Sequence, residues 1–140
     1  MNDCLSDANL MPRVLFVVST TIGGTPKTNQ DLMSGLADAV DAWVLRCDSK
    51  IIELSRMVDG KIKTLETYTL CHPIDPMSHY SSEYDTVVSG WLFSFDIDLV
   101  HIRHLGWHSL SLPRIAKQLG KKVIFSFHDF YALSPTIKLL

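Results

Sequence analysis

Residues 14–18 read Val-Leu-Phe-Val-Val, five apolar residues in succession. A strand with one wet face alternates apolar and polar side chains, so an unbroken apolar run has to be covered on both faces, as inside a parallel sheet. The next residues narrow the choice. Gly23 and Gly24 let the backbone turn tightly and come close to a ligand, and Thr25-Pro26 have the chemistry of a helix cap and a first helical residue. Leu32, Met33, Leu36, Ala37 and Val40 recur at helical spacing, which predicts a helix over about residues 26–39. Strand, glycine turn and helix open many α/β sheets, whose ligands sit at the carboxyl ends of the strands, where a helix N-terminus favours anions.

The rest of the chain repeats this grammar. A second short apolar run at 42–47 predicts a strand, and segments 51–58 and 61–70 flank Asp59-Gly60, a hairpin signal. Prolines and serines over 71–82 predict a loop ending in a helix cap at Ser81 or Ser82. Tyr84, Val87, Val88, Trp91, Leu92 and Phe95 then mark one face of a helix. A strand at 99–102, a helix with Pro113 in its first turn and Gly120 at its end, and a strand at 123–127 complete the pattern. The expected fold is α/β and Rossmann-like: a mostly parallel, doubly wound sheet with an antiparallel edge hairpin. Strand ends at Ser19, Ile102 and Phe127 would then share one rim, bringing Gly23, Gly24, His104 and His128 together.

Composition limits the partners. With 140 residues, 46% of them hydrophobic, the chain can bury one core, and a net charge of −2 without a basic stripe disfavours nucleic acid. Cys4, Cys47 and Cys71 are odd in number and widely spaced, which fits reduced thiols. Residues 1–12 read as a leader without a signal pattern, and no run approaches the ~18 apolar residues of a membrane span. A cytoplasmic protein is expected, with peripheral membrane contact left open.

The candidate chemistry is sparse. A dinucleotide site wants Gly-x-Gly-x-x-Gly and a carboxylate after the second strand; Asp48 is so placed, but the glycine spacing is absent. Residues 23–28, Gly-Gly-Thr-Pro-Lys-Thr, resemble a degenerate phosphate loop, in which Pro26 removes the N–H that a phosphate needs, so Lys27 and Thr28 read more simply as first-turn helix residues. His101, His104 and His108 invite a metal, but His101 lies inside a strand and no thiol or carboxylate is near in that segment, so no metal is expected and His101 reads as a core histidine bonded to backbone. His128 closes a buried strand at the rim, and Asp129 can orient its ring.

The segment 123–135, Val-Ile-Phe-Ser-Phe-His-Asp-Phe-Tyr-Ala-Leu-Ser-Pro, is similar to a strand and His-Asp turn of retaining glycosyltransferases of family 4. Residues 98–104, Asp-Leu-Val-His-Ile-Arg-His, residues 112–122 and the Gly23-Gly24 turn resemble that family too. The resemblance implies one half of a GT-B fold, with residues 13–140 as the N-terminal, acceptor-side domain, truncated and inactive alone without the C-terminal donor-binding domain. It implies sugar transfer with retention, from a nucleotide-sugar donor to a sugar or lipid-linked acceptor, with no further cofactor. It places His128 as the catalytic residue near the donor sugar, and Gly23, Gly24, Thr25, Lys27, His104 and Asp129 as substrate-binding residues. The alternative is a Rossmann-like nucleotide-binding domain with a degenerate phosphate loop.

Overall fold

A computed structural model describes residues 11–19, 33, 35, 39–75 and 77–126. Among these, six strands form one sheet: β1 (Arg13–Ser19), β2 (Asp41–Cys47), β3 (Ile51–Val58), β4 (Lys61–Thr69), β5 (Leu99–Ile102) and β6 (Lys122–Phe125). Two helices accompany them, α1 (Ser82–Ser94) and α2 (Leu112–Gln118). The strand order is β4-β3-β2-β1-β5-β6. Neither helix is long and apolar enough to cross a membrane.

β1 is the central strand that its apolar run demands. Val14 to Ser19 are all buried. Successive side chains point to opposite faces of a strand. Leu15 and Val17 therefore join a core with Tyr84, Val88 and Leu92 of α1 and Leu112, Ile115 and Ala116 of α2. Val14, Phe16 and Val18 join a second core with Ala42, Val44 and Met33, a helical residue that is fully buried. The rest of the helix expected over 26–39 lies largely outside the described residues.

β1 runs parallel to β2 and β5, and β5 parallel to β6. Three of the five pairings are thus parallel and the expected antiparallel hairpin, β3–β4, stands at one edge of the sheet, but that hairpin also joins its neighbour antiparallel. β3 is antiparallel to β2 as well as to β4, so β2, β3 and β4 form a meander and the sheet is mixed. The reason is local: the Asp48 carboxylate accepts the N–H groups of Lys50 (3.0 Å) and Ile51 (2.7 Å), closing a turn too short for a crossover. The Asp59-Gly60 hairpin forms as its sequence requires, with φ of +51° and +77° at the two turn residues. A register shift between Leu54 and Ser55 accounts for the imperfect alternation of β3. The arrangement is a mixed α/β sheet and does not single out a GT-B half.

α1 begins where Ser81 Oγ accepts the Tyr84 N–H at 3.1 Å. The Glu83 carboxylate, in the first turn, accepts Tyr68 O–H (2.9 Å) and Cys71 N–H (2.9 Å), tying the helix start to the end of β4. Those bonds, the Cys71 N–H above all, hold its pKa below the usual carboxylate value. At the opposite, amino edge of the sheet, Asp41 is bridged by Arg56 (2.9 Å) and Arg13 (3.6 Å), and both guanidinium groups lie over the Trp43 ring.

Candidate functional site

Polar groups are costly to bury, so where a fold buries them is informative. Among the described residues the buried polar side chains are Ser19, Ser55, Arg103, His108, Ser109 and Ser111, and all but Ser55 lie at the carboxyl end of β1 or in the loop after β5. That loop, residues 103–111, folds across the end of β1. Arg103 N–H and His104 N–H both donate to the Val17 carbonyl, at 2.9 and 3.1 Å.

His108 is the keystone of the loop. It is 1% exposed, its Nε2 lies 2.7 Å from the Val18 carbonyl oxygen and its Nδ1 2.6 Å from the Tyr84 hydroxyl. A carbonyl only accepts, so Nε2 carries the proton; the neutral ring then presents Nδ1 as acceptor to the Tyr84 O–H. Burial pushes the imidazole pKa down to about 4, against a smaller upward pull from the Val18 carbonyl and with a further downward push from His104. Burial likewise raises the Tyr84 hydroxyl well above its usual value. His108 is therefore a neutral connector between β1, α1 and the loop, and not an acid or base poised near neutrality.

Further bonds fix the loop to the segment before α1. Ser109 Oγ accepts Ser81 N–H (3.3 Å), and Leu110 N–H donates to the His79 carbonyl (2.9 Å). Within the loop, Gly106 N–H donates to His104 Nδ1 at 2.8 Å. A Cβ on Gly106 would stand 2.5 Å from His104 Cε1, so a larger residue there would push the His104 ring aside. Trp107, 40% exposed, comes next with a left-handed φ of +69°.

Of the residues expected from sequence to form the site, the structure places His104 at this edge. Gly23, Gly24, Thr25, Lys27, His128 and Asp129 lie outside the described residues. The three histidines weighed as metal ligands have their rings engaged elsewhere. His104 receives a backbone N–H, His108 bridges β1 and α1, and His101 Nε2 lies 2.6 Å from Ser126 Oγ with its ring against Phe16. His101 thus has a side-chain partner in Ser126. Asp48 serves its turn, and its pKa is lowered chiefly by the Ile51 N–H. Sequence reasoning misses Arg103 and Tyr84, since the first stands past a strand end without a motif and the second fits an apolar helix face.

No family model and no curated protein matches the sequence. Among solved structures, the chain is similar to a secreted C11 cysteine protease from Bacteroides thetaiotaomicron, iotapain, at 15% identity and a TM-score of 0.41, over 72% of this chain and 32% of that one. A structure described as a secreted C11 cysteine protease from the same organism, in complex with an irreversible peptide inhibitor, matches at 13% identity and a TM-score of 0.39, over 66% and 28%. The chain spans about a third of the length of those proteins. The comparisons return proteases and no glycosyltransferase. On that finding the family-4 reading is corrected, and with it sugar transfer, the nucleotide-sugar donor, the sugar or lipid-linked acceptor, the missing donor-binding domain and the alternative of a nucleotide-binding domain. Likenesses this remote bring no chemistry to this chain. Its described thiols are also unlike activated nucleophiles. Burial pushes Cys47 up to about 12, and a hydrogen bond with the Glu83 carboxylate raises Cys71.

Proposed function

We propose that this chain is a small-molecule-binding α/β domain whose site lies at the carboxyl edge of β1 and β5, on the loop 103–111. One observation carries the reading: buried polar side chains concentrate at that edge, where Arg103, His108, Ser109, Ser111 and Ser19 gather at the ends of parallel strands. Open α/β sheets receive ligands there because strand ends leave backbone groups unpaired and loops are free to specialise. The amino edge has a different character, with its charges spent on one another in the Arg13–Asp41–Arg56 cluster.

Backbone amide shift mapping of the full chain tests the site. The probes are inorganic phosphate, succinate, glucose and a neutral capped tetrapeptide. At least one probe is expected to move the amides of 17–19 and 103–111 while leaving those of 13, 41, 56 and 98 in place. Shifts confined to the amino edge, or no response to any probe, would overturn the assignment.

A further inference from the structure

We infer that the ligand of the carboxyl edge carries an oxyanion, a carboxylate or phosphate group, and that Arg103 receives it. The inference rests on the binding reading above and narrows it to a charge. Arg103 is 7% exposed, and its Nε has no hydrogen-bond partner among the described residues. An arginine keeps its proton under ordinary conditions, even though burial pulls its pKa below the usual value, so among the described residues this is a largely buried cation with no carboxylate beside it. Three other arginines are paired: Arg56 and Arg13 with Asp41, and Arg46 with Glu53 at 3.4 Å. Among the described residues no such carboxylate meets Arg103.

The placement suits reception of a ligand. Arg103 N–H is fixed to the Val17 carbonyl, so the side chain starts from a rigid point at the end of the central strand. Its planar fork matches the two oxygens of a carboxylate or phosphate, which a point charge does not. Nε is sealed from water, whereas the two terminal nitrogens are not among the buried unpartnered atoms, so it is that end of the fork that an anion can meet.

A residue that binds a ligand and one that holds the fold give opposite signatures on substitution. Replacing the guanidinium with a neutral thioether, Arg103→Met, removes the charge and its unpartnered Nε while keeping an apolar stem of similar length. The ligand-free full chain should then melt no lower than the wild type, while its affinity for phosphate or succinate falls at least tenfold. Arg103→Lys keeps the charge and loses the fork, so its affinity should fall between the two. The stronger of phosphate and succinate identifies the oxyanion. A lower melting temperature or misfolding of Arg103→Met would mean that the partner of Arg103 is already inside the chain, and would overturn the inference, as would undiminished anion binding. Glucose or the peptide binding at this edge without either anion would overturn the oxyanion and leave the edge standing; no probe binding there would overturn both.

Discussion

Acid should weaken this fold through His108 by an amount that the structure allows to be worked out. The imidazole titrates near 6.5 in an unfolded chain and near 4 in the folded one. Between these values the unfolded state holds the extra proton, so stability is complete above about pH 6.5 and is lost as the pH falls toward about 4. At about 1.4 kcal/mol per pKa unit the loss from this one group is on the order of 3 kcal/mol. Because the ring is fully buried, solvent screening does not reduce that figure. Asp48 and Glu83, whose pKa values are lowered, add their own acid sensitivity in the same direction. A comparison with His108→Gln cancels these contributions, since the amide cannot titrate and still offers a donor and an acceptor. Urea denaturation of both proteins from pH 7.5 to 4 should show the wild-type advantage shrinking by about 3 kcal/mol on acidification. A difference that stays flat across this range would refute the assignment of a neutral, desolvated His108.

Two more outcomes are expected of the loop and the core. Gly106→Ala should break the Gly106–His104 contact at a cost of about 1–2 kcal/mol, seen in urea midpoints and in a changed His104 ring signal, because the new Cβ would lie 2.5 Å from the ring. In the native protein near pH 8, iodoacetamide should modify Cys71 and spare Cys47 until the chain unfolds, as peptide mass spectrometry would reveal.

Much of this fold could be read from particular residues. The run 14–18 announced a strand covered twice, Asp59-Gly60 supplied the two left-handed residues of a hairpin, and Ser81 capped the helix that the Tyr84–Phe95 spacing required. The antiparallel pairing of β2 and β3 was not legible, because it depends on which side the short Asp48 turn sends the chain, and a carboxylate at a strand end reads equally well as a ligand group. The site was less legible. His104 lies at the carboxyl edge, as its position after a strand implied. His108 and Tyr84 are separated by 24 residues and each looks ordinary alone; only the folded loop joins them. Arg103 gave no signal in the sequence because its interest lies in what it lacks.

The fastening of residues 103–111 to β1 has a consequence for how this edge can move. Two successive carbonyls, those of Val17 and Val18, take up Arg103, His104 and His108. Lifting the loop therefore means giving up three bonds to the tip of the strand on which both cores are built.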